Sequence, residues 1–202
     1  MEIILLIITA ILTFTATNFD DLILLIIYFS QRESNPKRII LGQYLGFTFI
    51  LLVSFIGFAA SLLVNSKWVG LLGILPIIIG IKKLRQKPKK IEVPKKIKEP
   101  AFFKKIFNIE VWSVAAITFA NSGDNLSIYI PLFINQSWLN VFEIIFMFLI
   151  FVALWCYAAY KIVNYKRFKV IIEKYGVKIM PWILIILGIF ILAKNGIFNM
   201  LI

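Results

Sequence analysis

Three aspartates stand inside otherwise apolar sequence. Asp20 and Asp21 lie in ATNFDDL, residues 16–22, and Asp124 lies in ANSGDNL, residues 120–126. Thr13, Thr17, Asp20 and Asp21 follow one another at i, i+4, i+7 and i+8, and Thr118, Asn121, Asp124 and Asn125 repeat nearly the same spacing. On a helix each set forms one polar seam. Carboxylates, amide oxygens and hydroxyls are oxygen ligands, and such ligands suit hard or intermediate cations. Gln43 is placed to add another oxygen. Carrying an aspartate at a helix centre into a bilayer costs about 2.5–3.5 kcal/mol, so three that stayed charged in hydrocarbon would cost about 8–10 kcal/mol. No Lys or Arg lies in the apolar stretches around them or in those that hold Gln43 and Cys156. Protonation, a bound cation or both must offset that cost. A cation that displaces protons from such a site supplies the coupling that antiport requires.

A blander reading competes for each residue. Asn, Ser and Thr in a helical bundle are often only interhelical glue, the commoner role for Ser122, Thr13 and Gln43. Asp20 and Asp124 are different, because intramembrane acids are functional by default. Asp21, adjacent to Asp20, points another way, so one of the two faces other helices. Glu110 and Glu143 fall near the ends of apolar stretches and read as interfacial. Gly42 and Gly46 form a GxxxG, a helix-packing signal. Cys156 reads as a small core residue.

The elements that position these residues follow from composition. Of the 202 residues 61% are hydrophobic and 16% charged, and the mean hydropathy is +0.92. Ordinary soluble domains carry about 45–50% apolar and about 25% charged residues. A disordered chain, a collagen and an ordinary cytosolic enzyme are excluded, which leaves a polytopic membrane protein. Six apolar stretches occur: Ile3–Ser30, Ile39–Val64, Trp68–Leu84, Ile109–Phe133, Trp138–Tyr160 and Ile179 to about Gly196. The chain opens Met1-Glu2 without a basic n-region, so the first stretch reads as a membrane helix rather than a signal peptide. The chain has no histidine and one cysteine, Cys156, so imidazole chemistry and an intramolecular disulfide are excluded. No P-loop and no nucleophile–base pair is present, so neither an ATP motor nor an enzyme is expected.

Charge sets the orientation. The first, third and fifth connections hold 20 of the 22 Lys and Arg, leaving only Lys67 and Lys194 for the other side. Positive charge gathers on the cytoplasmic face, so both termini are expected outside. The net charge of +12 is therefore topological. Pro88, Pro94 and Pro100 break helix in the third connection, which reads as a solvated linker. Its lysines make anionic lipid a candidate partner there. No nucleic-acid partner is expected, because no reading module accompanies the charge. A second copy of the chain remains a candidate partner, and no cofactor is expected.

The halves share a plan. Aligning the two motifs pairs Ala16 with Ala120, Asp20 with Asp124, Asp21 with Asn125 and Leu22 with Leu126. Gly80 in PIIIGIKKL likewise matches Gly188 in LIILGIFIL. The expected fold is all-α, with six transmembrane helices as two inverted three-helix repeats. Residues 1–84 form the first repeat, 85–108 the basic cytoplasmic linker and 109–202 the second repeat. Three spans per half make the halves cross in opposite senses, a plan common among secondary transporters. Asp20 and Asp124 each lie about 22–26 Å along their helices, and tilt or unwinding would bring them toward the midplane. The first stretch, taken as one helix, would run about 42 Å, longer than the ~30 Å hydrocarbon core. Thr17-Asn18-Phe19-Asp20-Asp21 is the natural break. Asn121-Ser122-Gly123-Asp124-Asn125 is its counterpart, with Gly123 free to take unusual backbone angles.

At these residues the sequence resembles the cadmium resistance transporter family, a branch of the lysine-exporter superfamily. The resemblance rests on ATNFDDLILLIIYFSQ, IILGQYLGF, WVGLLGILPIIIGIKK, TFANSGDNLSIYIPLF and PWILIILGIFIL, in family order over nearly the whole chain. It implies a multi-pass protein of the bacterial plasma membrane that removes cadmium, or another divalent cation, from the cell. Its acidic motifs carry over to Asp20, Asp21, Asp124 and Asn125, with Asn18 and Asn121 beside them. The residues alone specify only a cation. Thiolate is the usual selective ligand for soft metals, and this chain has one cysteine, away from the motifs.

The leading expectation is a divalent-cation exporter working by proton antiport. An exporter of a small cationic organic solute, such as a basic amino acid, would use the same carboxylates as counter-charges. A non-transporting membrane scaffold would tolerate neutral replacement of Asp20 or Asp124.

Overall fold

The computed structural model describes residues 2–31, 34–61, 74–85, 109–134, 136–163 and 177–194, and within them the chain is all helical. Eight helices follow in order: α1 (Glu2–Thr17), α2 (Phe19–Phe29), α3 (Pro36–Ser61), α4 (Ile74–Arg85), α5 (Ile109–Ala120), α6 (Gly123–Ile134), α7 (Trp138–Val163) and α8 (Val177–Lys194). They fall on the six apolar stretches. The basic linker at 86–108, the fifth connection at 164–176 and the start of the third stretch, Trp68 included, lie outside the described residues.

Local chemistry starts the long helices. Asn35 precedes Pro36, and its side-chain oxygen accepts from the Lys37 backbone N–H at 3.0 Å. A polar cap followed by proline at the first helical position is a strong helix start. Ser137 does the same for α7, accepting from the Asn140 N–H at 3.3 Å. Helices α3 and α7, each of 26 residues, are long and apolar enough to cross a bilayer alone, and α1 with α2 makes a third candidate if the pair is one span. The outer surface is apolar, with Ile3, Ile56, Leu139, Phe146 and Ile186 all exposed. Exposed apolar area on this scale suits hydrocarbon rather than water. The protein is a membrane protein.

Packing runs between the halves of the chain. Helix α3 lies along α5 and α6, α7 lies along α1 and α2, and α4 pairs with α8. The α3–α5 contact is made at glycine: a Cβ on Gly42 would stand 2.6 Å from the Val111 carbonyl oxygen, and one on Gly46 would stand 2.6 Å from that of Ala115. The GxxxG is thus helix packing, as its spacing predicts. An aromatic cluster fills the centre, where Phe14 meets the rings of Phe47, Phe148, Phe151 and Trp155. At one end of the bundle the carboxylate of Glu110 accepts from the Asn35 N–H at 2.9 Å and pairs with Arg38 at 3.7 Å. This ties the first connection to the start of α5.

The expected break in the first stretch is present but narrower than the motif suggests. Helices α1 and α2 meet at 56°. Only Asn18 falls between them, and it takes φ −103° and ψ 13°. Its N–H still donates to the Phe14 carbonyl at 2.9 Å, and its carbonyl accepts from the Leu22 N–H at 3.0 Å. The bend keeps its hydrogen bonds, so Asp20 and Asp21 stand in the first turn of α2 rather than on unwound backbone. In the second half the break is Asn121-Ser122. Gly123 opens α6 without left-handed backbone angles, and a Cβ there would meet nothing within 4 Å. The expectation that Gly123 supplies an unusual conformation does not hold, because the two residues before it make the turn.

Candidate functional site

The breaks set the geometry. Both place aspartates at helix starts: Asp20 and Asp21 in the first turn of α2, Asp124 in the first turn of α6. The partial positive charge of a helix N-terminus favours carboxylates there, each by about 0.3–1 kcal/mol and up to about 2 when partly buried. Part of the cost of carrying these acids into hydrocarbon is therefore offset by the backbone itself.

A directed chain of hydrogen bonds joins the breaks. The two hydrogens of Asn18 Nδ2 are shared among three acceptors, the Phe14 carbonyl at 2.9 Å, Thr17 Oγ1 at 2.9 Å and the Tyr129 hydroxyl at 2.7 Å. A carbonyl only accepts, so Phe14 favours the Asn18 orientation that turns its nitrogen inward. Its Oδ1 is thereby turned to Asn125, whose Nδ2 donates to it at 3.2 Å. That leaves Asn125 Oδ1 buried without a hydrogen-bond partner. Such an orphaned acceptor costs about 1–3 kcal/mol unless something binds it. Tyr129 and Thr17 close the group, their hydroxyls 2.8 Å apart. The indole N–H of Trp155 donates to the Asn18 carbonyl at 2.8 Å.

A second chain runs beside the first. The Gln43 amide nitrogen donates to Asp21 Oδ2 at 3.3 Å, and its oxygen accepts from the Thr118 hydroxyl at 2.7 Å. Gln43, expected to add an oxygen, thus turns an N–H toward Asp21.

Burial sorts the remaining residues. Asp21 is 4% exposed and Asp124 7%, with Thr17, Asn18, Ser122 and Asn125 also buried. Asp20 is partly exposed and Asn121 exposed. Ser122 Oγ turns back to the Phe119 carbonyl at 2.6 Å. Among the described residues no group of three or more His, Cys, Asp or Glu converges to hold a metal ion. A cation here would need amide or hydroxyl oxygens alongside carboxylates.

These features sit within a recognisable whole. A family model described as cadmium resistance transporter matches residues 14–202, which include both breaks and every candidate site residue except Thr13. The chain belongs to the cadmium resistance transporter family. No curated protein and no solved structure matches it. The family is one of transporters, in keeping with a chain that shows no enzymatic motif.

Two residues of this hydrogen-bonded group escape a reading based on acidic motifs. Tyr129 stands at i+4 from Asn125, on the same face of α6, and that spacing is a usable signal. Trp155 carries none, because only the tertiary fold sets it against Asn18. Thr118 yields a prediction. Thr118→Val leaves the Gln43 oxygen without its donor and frees the amide to turn away from Asp21. Loss of one such bond is worth about 1 kcal/mol, so the apparent KM for transported ion in reconstituted vesicles should rise about fivefold, with Thr118→Ser close to wild type.

Proposed function

We propose that this transporter exports Cd²⁺ or a similar divalent cation across the plasma membrane in exchange for protons. Asp20, Asp21, Asp124 and Asn125 bind the ion, and Asn18 holds Asn125 in register. One observation carries the reading: the break residues of the two halves meet in the Asn18–Asn125 hydrogen bond, which leaves the Asn125 oxygen buried and unmatched next to Asp124 in sequence. An acceptor in that position suits a cation. Moderate oxygen ligands also suit export, because an exporter has to release its cargo.

The architecture proposed with this function is six spans in two inverted three-helix repeats, with both termini outside. Three facts support it. Each half opens with a broken helix, each continues with a 26-residue helix, and the third helices pair as α4 with α8. The Glu110 contacts with Asn35 and Arg38 put the first connection and the start of α5 at one end, as that topology requires. Rocking of one half against the other would then alternate access to the site.

The test is ion flux in inside-out vesicles with a pH-sensitive dye enclosed. Cd²⁺ uptake accompanied by proton movement in the opposite direction is the expected result. Cd²⁺ uptake without proton movement removes the antiport step. Transport of a cationic amino acid with no divalent flux would replace the ion by an organic solute.

A further inference from the structure

The amide pair Asn18–Asn125 has two self-consistent orientations. In the one observed, Asn18 presents its oxygen to Asn125, and Asn125 leaves its own oxygen free. Turning both amides over preserves the bond between them but leaves the free position of Asn125 as an NH2 group. An oxygen there attracts a cation and an NH2 group repels one. The sign of the site at this atom therefore depends on what holds Asn18.

The holding group can be traced by following hydrogens. The Thr17 hydroxyl donates to the Thr13 carbonyl at 3.0 Å, which leaves Thr17 Oγ1 as an acceptor. Tyr129, 2.8 Å away, gives its hydrogen to that oxygen. The Tyr129 oxygen is then an acceptor, and at 2.7 Å it takes the Asn18 Nδ2–H. The fully buried ring is fixed by Phe148 at 4.7 Å between centroids and by Phe47 and Phe133 at 6.3 Å each. The Phe14 carbonyl favours the same Asn18 orientation.

We propose that Tyr129 is a positioning residue for ion binding: through Thr17 and Asn18 it makes Asn125 present an oxygen rather than an NH2 group to the cation. The proposal rests on Asn125 being an ion ligand. If only a fraction of molecules has the oxygen outward, apparent affinity falls by that fraction.

The test is a double-mutant cycle read as Cd²⁺ affinity by calorimetry on purified protein in lipid nanodiscs. Tyr129→Phe keeps the ring and removes the hydroxyl, and it should raise the Cd²⁺ Kd about fivefold, as expected for one lost hydrogen bond. Thr17→Val releases the Tyr129 hydrogen to bond the wrong Asn18 orientation, and it should do at least as much. It also serves if Tyr129→Phe does not fold. In an Asn125→Asp background a carboxylate presents oxygen either way, so both substitutions should change the Kd less than about twofold. An equal loss in both backgrounds would mean that Tyr129 supports only the fold, and it overturns the proposal. No loss in the unmodified background overturns it as well. A different result sinks the underlying ion site: Cd²⁺ binding unaffected by both Asn125→Ala and Asn125→Asp, or abolished by Asn125→Asp.

Discussion

Asp21→Asn and Asp124→Asn are each expected to lower initial Cd²⁺ uptake by more than about 100-fold, the upper range for losing even an outer partner of a metal ligand. Asp20→Asn should cost less. Sequence alone ranks Asp20 with Asp124, because those two align. Burial reverses part of that order: Asp21 is 4% exposed and held by Gln43, whereas Asp20 is partly exposed. A buried carboxylate binds in a low-dielectric setting, where its charge acts most strongly on an ion. Replacement by Asn keeps the volume and removes that charge. The measurement is the initial rate in inside-out vesicles, normalised to the amount of folded transporter. Wild-type rates in both buried variants would remove the carboxylates from the ion path. An Asp20→Asn loss larger than either would restore the order that the aligned motifs suggest.

Gly46→Val should be the most damaging substitution for the fold. A Cβ at Gly46 would lie 2.6 Å from the Ala115 carbonyl oxygen and 2.8 Å from the Thr118 Cβ. Backbone cannot swing aside as the end of a flexible side chain does, so α3 and α5 must separate. Overpacking of this kind costs about 1–3 kcal/mol, and the two further methyl carbons push toward or beyond the upper end. The separation also draws Thr118 away from Gln43, so transport should fall with stability. Thermal unfolding in detergent measures the first effect. Gly123→Ala is the matched control, because a Cβ there meets nothing within 4 Å. A Gly46→Val protein that melts with wild type would mean that the α3–α5 contact tolerates opening.

Much of this fold is legible in the sequence, because bilayer proteins write their helices as long apolar runs. The six stretches coincide with helices wherever residues are described, and the overlong first stretch is bent at Asn18, inside the segment its length points to. The two motifs, expected to meet from opposite directions, do touch in the structure, through Asn18 and Asn125. Orientation within the site is less legible. A period of 3.6 residues gives one face of a continuous helix, and the 56° bend divides the seam that Thr13, Thr17, Asp20 and Asp21 would otherwise share. That bend leaves Asp21 better buried than Asp20, and the second break leaves Asn121 exposed. Gln43 reads as an oxygen donor by type, yet the Thr118 hydroxyl takes that oxygen, a pairing across 75 residues that no local pattern encodes.

The crossings of α3 with α5 and of α7 with α1 are unequal joints. In the first, glycines bring backbone against backbone, so the two rods are pinned. In the second, Phe14 is seated among Phe148, Phe151 and Trp155 at centroid distances of 5.4–5.7 Å. Ring faces and edges can shear past one another, whereas carbonyls locked into a glycine notch cannot. In the proposed rocking of one half against the other, the α3–α5 crossing would act as the fulcrum and the α7–α1 crossing as the bearing, so the stroke would be asymmetric, with its travel concentrated around Phe14.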